Sequence, residues 1–403
     1  MSTAPNVHDV VLFGATSFVG RLVARRLVER HGTSGALDWA IAGRDPDKLG
    51  RIAREMGADV PRLVADAHDP AALAELCARA RVVISTVGPY ALHGSRLVAA
   101  VAESGTDYVD LTGEPQWMRR MIDAHHDRAA ETGARVVHAC GFDSVPSDLG
   151  VRFTQARALE RLGEPCVRIR MGVKAAKGGF SGGTVASLVN VLAEASRDPA
   201  GRAVLADPYA LAPAGERDGP RQPNVTLPVR DPGLGAWTAP FVMAPTNVRV
   251  VLRSHALLGH PWGRDFTYGE AVMTGDGLAG RARAFAVAGA LGGFVRAARF
   301  GAVRGALGRV LPKPGEGPDE AAREAGFYDL RFHGTTASGR EIRTRVTGDR
   351  DPGYGSTSRI LAEAATALLG SDAPGGLRTP ATALGEPFRE ALETHAGLAF
   401  EVL

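Results

Sequence analysis

Cysteine is scarce in this chain of 403 residues: Cys77, Cys140 and Cys166, no two of them spaced as CxxC. Neither a zinc knuckle nor a redox pair is encoded locally, and the pattern suits a reducing, cytoplasmic setting. Lysine is almost as rare, found at positions 48, 174, 177 and 313. The basic side is therefore nearly all arginine. The formal net charge is +3, and no RNP, zinc-finger or basic-zipper pattern occurs, so nucleic acid is not an expected partner. Met1 to Val7 has neither a basic n-region nor an apolar core, so no secretion signal is expected. No HExxH motif occurs, and the neighbours His125 and His126 cannot both face one metal from a helix, so no metal site is expected. The stretch 284–295 (AFAVAGALGGFV) is free of charge, but it falls short of the about 20 apolar residues that a bilayer crossing takes.

What is present is ordinary globular material, 45% hydrophobic and 23% charged, and enough of it for two domains. The first 140 residues alternate strand and helix signals. Strands are expected at 9–13, 38–42, 62–65, 81–87, 107–111 and 135–139. Helices are expected after Phe18, Pro46, Pro70, Gly94 and Pro115. That rhythm means βαβ units and a doubly wound parallel sheet. After Cys140 it breaks. Strands are expected at 166–173 and 247–253, a hairpin at 328–336 and 340–347 across Ala337-Ser338-Gly339, and a last helix at 356–369. Residues 207–235 read as a long loop. The fold class expected is α/β, a Rossmann-type sheet plus a second α+β domain with an antiparallel sheet. The boundaries expected are 1–145 for the nucleotide domain, 146–350 for a substrate or dimerisation domain, and 351–403 for a segment returning to the first domain. A homodimer is compatible with this.

The sharpest local signal is Gly14-Ala15-Thr16-Ser17-Phe18-Val19-Gly20, which follows a strand and opens a helix. Gly14 permits a tight turn, Gly20 lets helix and sheet approach, and the helix N-terminus offers N–H groups to a pyrophosphate. Ser17 stands where the usual pattern has its middle glycine. The second strand ends at Ala42-Gly43-Arg44. An NAD site wants a carboxylate there, and an NADP site wants an arginine for the 2′-phosphate. Arg44, with Lys48 one turn on, selects NADPH; Asp45 before Pro46 reads as an N-cap. The fourth strand ends in Ser85-Thr86-Val87-Gly88-Pro89-Tyr90. Thr86 and Gly88 fall at the ligand edge of such a sheet. Tyr90 either reaches the nicotinamide end or packs the domain junction. Asp107, Asp110 and Glu114 gather at the end of the fifth strand.

The ordered set GATSFVG, AGRDPDKL, STVGPYALHG, GTDYVDLTGE and HACGFDSVPSDLG resembles the saccharopine dehydrogenase-like oxidoreductases. LPKPGEGP at 311–318, TGDRDPGYGSTSRILAE from 347 and GGLRTPATALGEP from 375 are similar to the branch called trans-acting enoyl reductases, which serve lipid polyketide synthases in actinobacteria. The resemblance implies a Rossmann domain, a second domain on an antiparallel sheet, and NADPH. The chemistry then expected is reduction of the C=C bond of an enoyl thioester, a lipid-like substrate that a carrier protein could present. Tyr90 is the first candidate for proton donor, with Asp143 and Ser144 in the loop joining the domains as alternatives. Lys174 and Lys177, beside Gly178-Gly179-Phe180-Ser181-Gly182-Gly183-Thr184, are candidates for a thioester oxygen or a phosphopantetheine phosphate; otherwise they are solvated strand-end lysines. Two other readings stay open: a nucleotide-binding protein without turnover, and C–N reduction of a saccharopine-reductase type. The segment 284–311, with arginines around it, covers an apolar groove or rests peripherally on a membrane.

Overall fold

The architecture is that of a computed structural model describing residues 7–33, 35–178, 182–297 and 317–403. Two seven-stranded sheets organise it. The first is built from β1 (His8–Phe13), β2 (Trp39–Gly43), β3 (Arg62–Val64), β4 (Ala80–Ser85), β5 (Asp107–Asp110) and β6 (Arg135–Val137), all parallel. These strands lie in the order β6-β5-β4-β1-β2-β3. The direction of winding reverses between β1 and β4, and in such sheets ligands sit in the crevice outside the strand C-termini at that point. Around β1, β2 and β4 both faces are buried, and these strands are nearly continuous apolar runs. In β1, Val10 and Leu12 enter one core while Val11 and Phe13 enter the other.

The second sheet is mixed. It contains β7 (Cys166–Lys177), β8 (Val229–Asp231), β9 (Ala236–Ala239), β10 (Thr267–Gly275), β11 (Phe327–Thr336) and β12 (Glu341–Gly348). β7 pairs parallel with β10, and the other pairings are antiparallel. The β11–β12 hairpin turns where expected, with Gly339 at φ 85°. Helix Val145–Leu162 lies across this sheet. Gly150 allows the approach, because a Cβ there would stand 2.9 Å from Phe332 Cε2.

The expected strand at 247–253 is instead part of helix Ala244–Leu257. The β-branched run is strand-like, but Asn247, Val251 and Ser254 recur at helical spacing and face partners in the protein. Ser254 Oγ donates to Asp148 at 2.6 Å, and Asn247 Nδ2 donates to Glu270 at 3.0 Å. Arg249 and Arg253 find backbone carbonyls of Leu205 and Leu377 on the other side. Tertiary hydrogen bonding outweighs the weak strand preference of valine. The loop 207–235 holds one short strand, β8.

The last segment visits both sheets. Helix Thr357–Leu369 packs against β1, β4 and β5. β13 (Gly376–Arg378) then pairs with β6, and β14 (Leu398–Val402) pairs with β12.

Candidate active site

The loop after β1 is a cradle shaped by what its glycines lack. Gly14 sits at φ 90°, and a Cβ on it would stand 2.7 Å from Val87 Cγ2 and 2.8 Å from Thr86 Oγ1. A Cβ on Gly20 would stand 2.9 Å from Ala15 Cα and would also strike the Gly14 carbonyl. Ser17 is the N-cap of helix Phe18–His31, its Oγ accepting from Gly20 N at 2.9 Å. That explains a serine in place of the middle glycine: it terminates the helix while leaving the first-turn amides of Phe18 and Val19 ahead of the i→i−4 ladder. Thr86 is turned beneath the loop, its Oγ1 donating to Gly14 O at 3.0 Å. It positions the loop rather than facing a ligand. Thr16 in the loop and Val19 in the first helical turn are half-buried, Val19 packed against the core. Phe18 packs edge-on against Tyr354 at 5.2 Å. The cradle fits a dinucleotide pyrophosphate, with helix dipole and free amides aimed at it.

Arg44 is exposed at the C-terminal end of β2. Asp45 is occupied as an N-cap, accepting from Lys48 N at 3.0 Å and pairing with Lys48 Nζ at 3.5 Å. Lys48 is thus partly neutralised, and Arg44 is the cation at this strand end. Two residues that the sequence did not single out stand near it. His68 and His93 meet through their ring nitrogens at 3.1 Å. Burial, then His68, then the Arg44 charge hold the His93 imidazole below its usual pKa.

Tyr90 does not stand at the mouth of the crevice. It is 4% exposed, its hydroxyl donates to Ser85 O at 2.9 Å, and its ring packs on Trp117 at 5.4 Å. Burial, reinforced by the Asp110 charge, pushes its phenol well above the usual value. Tyr90 therefore packs neither at the nicotinamide end nor at the domain junction but inside the core of the first domain, and its hydroxyl is spent on the backbone. Gly88 is exposed at the crevice edge, and its bond to Pro89 is cis. Glu114 secures the turn that follows: its carboxylate accepts from Tyr90 N and Ala91 N, both at 2.9 Å, and from Ser187 Oγ at 3.0 Å. Asp110 is a buried brace. It accepts from Tyr108 OH at 3.0 Å, Thr112 N at 3.0 Å and Ala139 N at 3.0 Å, and bonds His138 Nδ1 at 2.7 Å. It thereby ties the loops after β5 and β6.

Those two loops present Asp143. It is half-buried, and burial pushes its carboxyl from 3.8 up to about 6. It has no hydrogen-bond partner among the described residues. A Cβ placed on Gly113 would lie 3.9 Å from Asp143 Oδ2 and 3.4 Å from Met243 Cε, which puts the carboxyl beside a glycine and an apolar side chain in one recess. Ser144 is different. It is buried, and its Oγ donates to Asn247 Oδ1 at 3.0 Å. Asn247 continues to Glu270, which also accepts from Tyr268 OH at 2.6 Å; burial pushes Glu270 up to about 7. Ser144 is thus a junction residue between the two domains.

Lys174 and Lys177 are exposed near the end of β7. Gly178 leads away against Pro352 and Asp351, whose neighbour Tyr354 touches Phe18 of the cradle. The strand end therefore opens near the loop. Residues 179–181 of the glycine-rich turn lie outside the described residues, as does the part of 284–311 beyond residue 297. Among the described residues no cluster of three or more metal-ligating side chains occurs.

Comparison with known proteins agrees with this geometry. Residues 10–137 match the saccharopine dehydrogenase NADP binding domain. A Mycobacterium tuberculosis protein provisionally named a trans-acting enoyl reductase is 43% identical over 422 residues, covering 100% of this chain and 99% of the relative. A Mycobacterium bovis trans-acting enoyl reductase is 40% identical over 403 residues, covering 96% of each chain. Among solved structures, apo saccharopine dehydrogenase (L-Glu forming) from Saccharomyces cerevisiae shares the fold with a TM-score of 0.54 at 16% identity, over 98% of this chain and 100% of that one. With an NADP-binding cradle, a second mixed sheet and relatives of this length and identity, the chain belongs to the saccharopine dehydrogenase-like oxidoreductases, in their trans-acting enoyl reductase family.

Proposed function

We propose that the protein reduces the C=C bond of an enoyl thioester with NADPH. The arrangement that supports the reading is a dinucleotide cradle at Gly14 and Gly20 after β1 and an unpartnered, half-buried carboxyl at Asp143 after β6, both in loops at the C-terminal edge of the first sheet. When bound, the reduced nicotinamide supplies the hydride for the β-carbon. Gly14, Ser17, Phe18, Val19 and Gly20 would hold the pyrophosphate, and Arg44 would meet the 2′-phosphate. As the C=C electrons move toward the thioester oxygen, the protonated Asp143 carboxyl gives its proton to the α-carbon and is left as a carboxylate. Water returns the proton. Proton transfer of this kind is worth about 10²–10⁴-fold. An acid poised at about 6 suits the task better than a phenol sealed in the core.

Lys174 and Lys177 are exposed near the end of β7 and suit a phosphate on the carrier arm of a thioester. The setting is cytoplasmic, which three buried free cysteines support. The test is NADPH oxidation with an enoyl thioester, run beside an aldehyde plus amino acid. Turnover of the thioester with the α-proton drawn from solvent is the expected result. Turnover of the second pair alone would replace this reading with C–N chemistry.

A further inference from the structure

Helix Gly277–Ala297 packs on β9 and β10 of the second sheet, and its fully buried residues lie in its first turns. Gly280 and Ala284 are buried, and Thr274 Oγ1 donates to Gly280 O at 2.9 Å. A Cβ on Gly280 would strike the Gly275 carbonyl, so the contact is backbone to backbone. Val287, Leu291 and Phe294 continue the Gly280–Ala284 stripe at spacings of three and four residues. Along the helix, however, an 18-residue apolar window is only 11% buried. Leu278 is 83% exposed and Phe285 54%. A Cβ on Gly289, Gly292 or Gly293 would meet nothing within 4 Å. The stripe residues Val287, Leu291 and Phe294 are half-buried, and beside them Leu278, Phe285 and the three glycines leave a broad apolar face exposed.

The charge on this helix has one sign. Arg281, Arg283 and Arg296 are its only charged residues, and no Asp or Glu lies between 277 and 297. Arg281 is held over Trp237 at 5.5 Å and over Phe285 at 5.9 Å, which keeps cation and aromatic on one face. A second copy of the chain would bring the same arginines and no acid, so self-pairing of this helix sets cation against cation. An anionic lipid surface matches both features: acyl chains for the apolar side chains, headgroups for the arginines. By length and composition alone this 21-residue helix would pass as a membrane span, but its arginines interrupt the apolar run. The twelve residues between Arg283 and Arg296 reach about 18 Å as helix, against roughly 30 Å of hydrocarbon.

We infer that helix Gly277–Ala297 is a peripheral docking helix for anionic membrane, lying in the interface rather than crossing it. The inference is independent of the reductase reading. Flotation with phosphatidylglycerol-containing vesicles, against pure phosphatidylcholine, tests it. Each basic residue contributes a factor of about five near an anionic surface, so partitioning should be roughly a hundredfold higher on the anionic vesicles. High salt should release the protein. Leu291→Glu with Phe294→Glu should abolish flotation. Both positions lie beyond the buried Gly280–Ala284 seat, and unchanged NADPH binding would show that the double variant is folded. Absence of flotation on anionic vesicles overturns the inference. So does flotation that survives the double variant, equal partitioning on neutral vesicles, or retention after carbonate washing. A wild-type dimer that the double variant converts to monomer, without vesicle binding, would assign the helix to a second copy instead.

Discussion

Replacing Asp143 by asparagine should make the protein more stable and a poorer catalyst at once. The wild-type carboxyl is raised from 3.8 to about 6 by burial. The folded state therefore binds more protons than the unfolded state between these values, and stability falls as pH rises through that window. At full burial the rise corresponds to roughly 3 kcal/mol above pH 6. Asp143 is half-buried, so water screens part of this, and about 1–2 kcal/mol is expected. Asparagine keeps the shape and carries no charge. At pH 7 the variant should melt about 1–2 °C higher than wild type, and near pH 4 the two should unfold alike. Turnover should fall about 10²–10⁴-fold, with NADPH affinity unchanged. The wild-type rate at saturating substrate should decline as pH rises past about 6, as the acid form is lost. Thermal melts at several pH values, paired with NADPH oxidation, decide it. A variant less stable than wild type at pH 7, a stability difference that ignores pH, or unchanged turnover would each refute the reasoning.

Three further outcomes are expected. Tyr90→Phe should keep wild-type turnover and lose about 1 kcal/mol in a denaturant titration, because its hydroxyl serves Ser85 O and not a ligand. Gly20→Val should abolish cofactor binding, read by fluorescence titration, because the branched side chain meets the Gly14 carbonyl and the Ala15 backbone; circular dichroism should show the second sheet retained. Arg44→Asp should weaken NADPH binding by about 1–3 kcal/mol while sparing NADH, the scale of a charge-assisted hydrogen bond. Equal loss for both cofactors would place Arg44 outside the 2′-phosphate contact.

The first domain was legible because its signals are local. Asp9 to Phe13 followed by Gly14 states strand, turn and helix within a dozen residues, and each later strand repeats that grammar. Helix Ala244–Leu257 was not legible, because its identity depends on Glu270 and Asp148 far away in sequence. A run such as Asn247 to Arg253 carries no trace of those partners. Tyr90 shows the same limit in the site. Its position after Gly88-Pro89 was readable, but whether its hydroxyl turned in or out depended on a carbonyl at Ser85. Asp143 could be nominated from its place between the domains. Its recess against Gly113 and Met243 needed three separate loops. His68 and His93 follow different strands, and nothing in either neighbourhood announces their meeting.

The C-terminal segment has a consequence for synthesis. β6 ends at Val137, yet its outer neighbour β13 begins at Gly376, and the helix covering β1, β4 and β5 begins at Thr357. A ribosome adding roughly 5–20 residues per second would therefore hold the nucleotide domain unfinished for on the order of 10–50 s after its last core strand emerges. During that interval β6 is an open edge and one sheet face lacks its lid, the condition in which parallel sheets recruit wrong partners. A fragment ending near residue 145 should accordingly aggregate rather than fold as a free-standing nucleotide-binding module. Supplying residues 351–403 as a separate chain should recover only part of the loss, because β14 would still seek β12 in the missing second sheet.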